Sequence, residues 1–534
     1  MRKGLKVVSF GVLLSLLVST AAACGSQKST TGTSTGSGTA GSTKPAAPVT
    51  ISVEIFDRSN APEGGGTVTD NYVTRYIADN FSKNTNISIN WVPIPRSQEV
   101  DKLQVLMAGG TAPDICFTYD KNIMFNYAKN GGLTEITDEL LNKNGPNLRK
   151  YLGDNVLDYG KYSGKQFSIV AKRAMLAEHN SWIRKDLLDK LGLKMPTTTQ
   201  ELYEVLKTVK EKDPGNVGKD KVVAFGMHGS TTGTARMNYL HLLLSFADPN
   251  ASEEDYNVLP DFAFSGAKEG LKFINKMYNE GMISKDFALD DTSKKFNEDV
   301  TMGRTVFFTE DVNKPLGSAA DGLLSNLQKN VPDAKLVPID VFKNSAGKYR
   351  KSIYSPAGMY IMIPKTSKNP AEAIKYLDWM SQNFLSLRYG AEGVHYKIQD
   401  EIPVVIDTAK SAKDLWTAVD IFLLVNGTEL GSLEKNIKAE AARKAPHQDL
   451  AVQGINIALK DGISKLGFDV PIEAEMKNGG NLKKIEQELI IKSIAAKPED
   501  FEKTYEEINK KWLSSGGQQV IDEKRVAYKN MKKK

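Results

Sequence analysis

Between residues 51 and 117 the apolar positions switch repeatedly between period two and helical spacing, and no other feature restricts the fold of this chain as strongly. Ile51, Val53 and Ile55 alternate with Ser52 and Glu54 as in a half-buried strand, and Val73, Tyr76, Ile77 and Phe81 then recur at helical spacing. Ile87, Ile89 and Trp91 alternate again. A segment capped by Ser97 puts Val100, Leu103 and Met107 on one helical face, and residues 114–117 form a short apolar strand bounded by Pro113. Right-handed crossovers turn this β-α-β-α-β order into a parallel, doubly wound sheet. The α/β character continues. Ser181 precedes an expected helix buried through Ile183, Leu187 and Leu191, Thr198 and Glu201 form a capping box ahead of Leu202, Val205, Leu206 and Val209, and Asn369-Pro370 opens a helix carrying Ile374, Leu377 and Met380.

The N-terminus sets the expected compartment. Arg2, Lys3 and Lys6 precede an apolar run over 7–18, and Ala21, Ala22 and Ala23 lead into Cys24, a secretory signal too short to span a bilayer. A cysteine after small residues resembles the bacterial lipobox, although Ala21 stands where leucine is usual. It implies a lipoprotein signal peptide over 1–23 and acylation of Cys24. Residues 24–47 are mostly Ser, Thr, Gly, Ala and Lys and read as a disordered tether. The match of Gly36, Gly38 and Gly41 to a dinucleotide fingerprint has no strand before it and no helix after it, so it carries no meaning. Removing 1–23 takes away three cations and no acid, and the net charge falls from +6 to +3 (6 − 3), which gives no reason to expect nucleic acid as a partner. Cys116 is the only other cysteine. It excludes an internal disulfide in the mature chain and reads as a small buried residue.

Ligands of open α/β sheets bind beyond the carboxyl ends of the strands, where loops converge. The three loops there hold Phe56-Asp57-Arg58-Ser59, Pro95-Arg96-Ser97 and Tyr119-Asp120-Lys121. An aromatic ring packs on the C–H face of a pyranose, while Asp and Arg make paired hydrogen bonds to neighbouring hydroxyls. Asp57, Arg58, Arg96, Tyr119 and Asp120 are therefore candidate sugar contacts. The same side chains also suit plain structural work, with Arg58 pairing Asp57, Arg96 capping a helix and Tyr119 packing half-buried. Signatures of catalysis are missing: there is no H-E-x-x-H, no Walker A loop and no C-x-x-C pair, and the five histidines lack metal-ligand spacing. Glu310 and Asp311 are neighbours on an expected strand, where they point to opposite faces, which argues against a glycosidase pair.

Residues 92–99 (VPIPRSQE), 103–120 (LQVLMAGGTAPDICFTYD), 164–167 (GKQF), 182–192 (WIRKDLLDKLG), 196–199 (PTTT), 302–304 (MGR), 363–365 (IPK), 369–380 (NPAEAIKYLDWM) and 389–396 (YGAEGVHY) resemble, in order, segments of family 1 extracellular solute-binding proteins. They look closest to large Gram-positive lipoproteins associated with uptake of plant-polysaccharide or uronate oligosaccharides. That resemblance implies a two-lobed α/β fold of the type II periplasmic-binding-protein kind, each lobe a doubly wound sheet flanked by helices. It places residues 48–165 and 342–405 in an N-terminal lobe, 166–341 and 406–534 in a C-terminal lobe, and hinge crossings near 166–171 and 336–341.

The same resemblance implies a substrate-binding lipoprotein of an ABC importer, not an enzyme. It would be monomeric and held by Cys24 on the outer face of the cell membrane, and it would capture an oligosaccharide between its lobes for delivery to a membrane permease. No cofactor is implied. Arg58, Arg96, Lys121 and Arg173 would suit a uronate-containing cargo. Arg173, His228, Phe308, Glu310, Tyr354, Tyr396 and Trp416 join the candidate contacts, and Trp182 is expected in the core. Alginate-binding relatives carry a D-x-N-x-N-G calcium loop where this chain has Asp213-Pro-Gly-Asn-Val-Gly218; Gly215 and Val217 remove two side-chain ligands, so no metal is expected. A lipid-anchored glycosidase or lyase, and a sensory sugar-binding protein without a transport role, fit the same sequence.

Overall fold

The computed structural model describes residues 48–229, 239–248, 250–312, 314–317, 322–343 and 351–533. The expected signal peptide, Cys24 and the tether lie outside the described residues.

Strands β1 (Val49–Asp57) and β2 (Ile87–Pro95) pair in parallel along their whole length, with Val53 opposite Trp91. The intervening helix Tyr72–Ile77 starts at Asn71, whose side chain accepts the Val73 and Thr74 amides, and it buries Val73 and Ile77 in the core that also holds Ile51, Val53 and Ile55. The helix Glu99–Ala108 follows a 3-10 turn over Arg96–Gln98 instead of starting at Ser97, and Leu103 is its buried residue. Strand β3 (Cys116–Thr118) joins this parallel set through a bridge between Val53 and Ile115. Cys116 is fully buried, with its sulfur 3.8 Å from the Met362 carbonyl oxygen.

From β4 (Ser168–Arg173) the chain passes to a second sheet built from β5 (His179–Arg184), β6 (Val223–Gly226), β7 (Thr305–Asp311) and β8 (Leu336–Ile339), in the spatial order β8-β5-β7-β6. It returns as β9 (Ala357–Met362), antiparallel to both β3 and β4, and β10 (Val425–Asn426) adds to β4 in parallel. β9 runs against its neighbours because it enters from the second sheet. The strictly parallel reading thus holds for β1 to β3, and mixed sheets complete both lobes.

Residues 174–178 and 427–432 connect the two cores, and between Ile339 and Ala357 the chain makes a third passage, back from the second sheet to the first. β4 itself lies in the first sheet and β8 in the second, so the passages fall just beyond the hinge positions expected at 166–171 and 336–341. Residues 418–425, expected in the C-terminal lobe, instead pack in the first core, since the apolar run Ile421, Phe422, Leu423, Leu424 and Val425 closes against β4. A second correction concerns Ser181. Residues 179–184 form a strand, and the helix begins at Lys185. A strand buried on both faces, with Trp182 on one and Ile183 on the other, has no polar alternation to mark it. The Thr198 capping box and the Pro370–Ser381 helix form as expected. The C-terminal helices Glu473–Ala495, Phe501–Trp512 and Gln518–Lys532 pack into the second core.

Candidate ligand-binding site

Adjacent parallel strands end side by side, so the residues following β1, β2 and β3 converge at one edge of the first sheet. Phe56 is buried, edge-on to Phe117 at 4.8 Å and stacked on Tyr119 at 6.4 Å and 22°. The Arg96 guanidinium sits over both rings, 4.7 Å from the centre of Phe56 and 5.1 Å from that of Tyr119, and pairs with Glu99. Arg58 binds Asp420 through two nitrogens, Nε at 2.8 Å and a terminal nitrogen at 2.8 Å. The Tyr119 ring is 39% exposed and is the large apolar surface this edge offers to solvent. Asp57 turns back to accept the Ser59 amide at 2.8 Å, and Asp120 caps the helix Lys121–Lys129 by accepting the Asn122 amide at 2.8 Å. Burial pulls Lys121 down to about 8, and its ammonium donates to the Phe468 carbonyl at 2.6 Å.

Four residues of this edge escaped the sequence reading: Glu54, Phe56 as a stacking ring, Glu99 and Asp420. Glu54 is 1% exposed. One of its oxygens accepts the Phe117 amide at 2.9 Å, the other is buried without a partner, and burial pushes the carboxyl up to about 8. Alternation puts it on a solvent face; the sheet is covered on both.

At the first passage between the lobes, the Arg173 guanidinium carbon stands 4.1 Å above the centre of the Tyr354 ring. The Tyr354 hydroxyl donates to Asp311 Oδ2 at 3.4 Å and its amide to the Leu176 carbonyl at 2.9 Å. On the second sheet, Glu310 accepts Lys314 Nζ at 2.7 Å and the Asp311 amide at 3.0 Å, and its Oε2 lies 3.4 Å from His228 Nε2. Burial alone would raise this carboxyl. The His228 and Lys314 contacts outweigh it and hold Glu310 at about 2. His228 is also 3.2 Å from the Ser293 hydroxyl through Nδ1 and packs on Phe296.

Two expected contacts are corrected. Phe308 is 1% exposed and packs edge-on to Phe296 at 5.4 Å in the core beside Trp182, because β7 is buried on both faces. Tyr396 opens a hairpin opposite Val405 and is buried edge-on to Tyr389 at 5.9 Å. Trp416 spends its indole N–H on the Gly65 carbonyl at 2.9 Å. The first edge therefore gathers Arg58, Arg96 and Tyr119, while Asp57 and Asp120 serve their own loops. Among the described residues no group of three His, Cys, Asp or Glu is placed to hold a metal. Asp213 in particular turns both carboxylate oxygens onto backbone amides, of Val217 at 3.1 Å and Gly218 at 2.7 Å.

Two covered sheets, linked by three chain passages and carrying rings and planar ions at one carboxyl edge, define a two-lobed solute-binding fold. The chain belongs to the bacterial extracellular solute-binding protein family, whose model matches residues 65–383. It is 27% identical over 462 residues to lipoprotein LipO of Bacillus subtilis, covering 84% of this chain and 87% of that protein. It is 27% identical over 470 residues to the B. subtilis polygalacturonan/rhamnogalacturonan-binding protein YtcQ, covering 84% and 86%. The solved structure of the S. pneumoniae ABC-transporter substrate binding protein FusA in complex with kestose shares the fold, at a TM-score of 0.65 and 16% identity over 90% of this chain and 99% of that one. The expected two-lobed, type II fold is the observed one. Among the described residues no helix is long and apolar enough to cross a membrane.

Proposed function

We propose that this protein is the substrate-binding component of a carbohydrate ABC importer, tethered at the outer membrane face through an acylated Cys24, and that it takes up an oligosaccharide without cleaving it. The observation that carries this reading is the stack of Phe56, Arg96 and Tyr119. A partly exposed ring, fixed from below by a second ring and flanked by a guanidinium already held in place, is a platform for a pyranose face with donors at its rim. The names of YtcQ and of the FusA complex support a sugar, and that of LipO supports the anchor. Sugar docked on the first lobe favours closure to the extent that it also touches the second, and the closed form is what a permease would accept.

Calorimetric titration with pectic, fructan, xylan and alginate fragments tests this directly. Binding of at least one fragment, recovered intact after incubation, is expected; shortened or unsaturated products would establish a glycosidase or lyase instead. Mass spectrometry of the membrane fraction should find an acylated N-terminal Cys24, and an unmodified chain starting among the alanines would remove the anchor.

A further inference from the structure

The second lobe holds a cavity of about 710 Å³, and no residue of the Phe56, Arg96 and Tyr119 edge lines it. One face of the helix Glu473–Ala495 forms its longest wall, closed by Trp512, by Val520 and Lys524 of the last helix, and by residues 257–261. Much of that wall is aliphatic, from Leu240, Val258, Leu259, Pro260, Leu482 and Val520.

Most of the charged groups facing the cavity are already engaged. Lys465 binds Asp261 at 2.6 Å, Lys524 binds Glu475 at 2.8 Å, and Glu178 lies 3.6 Å from His179 Nδ1. Lys483 is exposed, and burial keeps the Tyr239 phenol neutral by pushing it up. Glu486 is the exception. It is partly buried, lines the cavity, and has neither an ion pair nor a hydrogen bond among the described residues. Burial and the nearby Asp261 push its carboxyl up to about 7, against the pull of Lys465, Lys483 and Lys524. Two further side chains of this wall, Gln487 and Trp512, are more than nine-tenths buried, and neither Gln487 Oε1 nor Trp512 Nε1 has a hydrogen-bond partner.

A carboxylate between aliphatic walls keeps its desolvation cost until a cation meets it. An inorganic ion matches poorly, because a hard cation gathers about six to eight oxygens and only one carboxyl here is open. Among the described residues no group of three His, Cys, Asp or Glu stands together to hold one. A protonated amine needs a single carboxylate for its charge, brings N–H donors of the kind Gln487 Oε1 lacks, and can carry an apolar body to cover the aliphatic wall.

We infer that this cavity is a second small-molecule site, and that it takes an amine on an apolar body with its protonated nitrogen on the Glu486 carboxylate. The site lies within one lobe and does not rest on the carbohydrate reading above.

The test is calorimetric titration of the mature chain with phenethylamine and with 2-phenylethanol, which has the same body without the charge. At pH 8 the amine should bind about tenfold or more tightly than the alcohol. Its affinity should fall about tenfold between pH 8 and pH 6 as Glu486 takes up its proton, since the amine stays charged throughout. Glu486→Gln should bring the amine down to the alcohol's affinity and abolish that pH dependence. Because the ionised carboxyl is the form that burial disfavours, the same variant should melt no lower than wild type at pH 8. Alcohol binding as well as amine, no amine binding at pH 8, or an amine affinity that Glu486→Gln leaves unchanged would each overturn the inference. Should Glu486→Gln fail to fold, the wild-type ratio of amine to alcohol and its course with pH decide.

Discussion

Glu54 and Glu310 are buried carboxyls on strands of the two different sheets, and their surroundings drive them in opposite directions. Glu54 meets one backbone amide and no cation, so desolvation prevails and its proton is retained to about 8. Glu310 is buried nearly as deeply but touches His228 and Lys314, and it stays ionised down to about 2. Partners, not depth, set the charge. The contrast extends to the edges these residues support. Around Glu54 the rings and ion pairs reach solvent, with Tyr119 half-open and Arg58 and Arg96 each 37% exposed. Around Glu310 the aromatic residues are core. The first edge presents a ring and two ion-paired guanidinium groups to solvent, the surface on which the proposed sugar site rests, and the part of the second edge around Phe308 belongs to the packing of its lobe.

Removing a ring at each edge therefore reads out differently. Phe308→Ala should cost about 3 to 5 kcal/mol of unfolding free energy in chemical denaturation, the usual penalty for emptying a large aromatic site in a core. A loss under about 1 kcal/mol would mean that the β7 edge is loosely packed and open to ligand after all.

The two carboxyls give the next largest effect, about 3 kcal/mol each near pH 7. Glu310 has a depressed value, so the stability it contributes is complete above its ordinary 4.5 and drains away as pH falls toward about 2. Glu54 has a raised value, so its contribution is complete below 4.5 and is lost as pH climbs toward about 8. Glu310→Gln should therefore destabilise the protein at pH 7 and flatten its acid limb. Glu54→Gln, which keeps an acceptor for the Phe117 amide, should stabilise it at pH 7 and match wild type near pH 4. Melting curves across pH 3 to 8 separate the two variants, and shifts of the same sign would mean that burial alone governs both groups.

The unequal legibility of the two edges has the same physical origin. Strands β1 to β3 follow each other through helical crossovers and carry visible alternation, so the loops holding Arg58, Arg96 and Tyr119 could be placed together from sequence. Asp420 could not, because it lies 362 residues beyond the arginine it binds. Within β7 every residue from Thr305 to Glu310 is buried, and with no polar face to read, Phe308 looks the same whether it faces core or ligand. Tyr396 failed for a related reason: a hairpin strand at the rim of the first core turns one ring inward, and its sequence does not say which. Glu54 shows the converse error. An acid in an alternating strand reads as solvent-facing, yet a central strand covered on both sides buries it.

A smaller effect is expected from the ring that does face outward. Tyr119→Ala should weaken sugar binding by about 1 to 3 kcal/mol, the scale set by the apolar area it covers, and leave the melting temperature nearly unchanged. The reverse pattern would make Tyr119 a packing residue like Phe308, and the two edges would no longer differ in kind.

The smallest effect predicted is none at all. Calcium at millimolar concentration should not shift the melting temperature, because Asp213 has already closed its own loop. Its two oxygens hold the Val217 and Gly218 amides, its backbone takes the left-handed conformation at φ 45°, and Gly215 and Val217 offer no side-chain oxygen where a calcium loop needs them. A cation would have to displace those amides and find most of its ligands in backbone carbonyls and water, which a hard ion requiring six to eight oxygens does poorly. Asp213→Asn, which retains one acceptor, should cost less than about 1 kcal/mol and likewise show no calcium response. A calcium-dependent rise in melting temperature that Asp213→Asn abolishes would show that the loop reorganises around a metal.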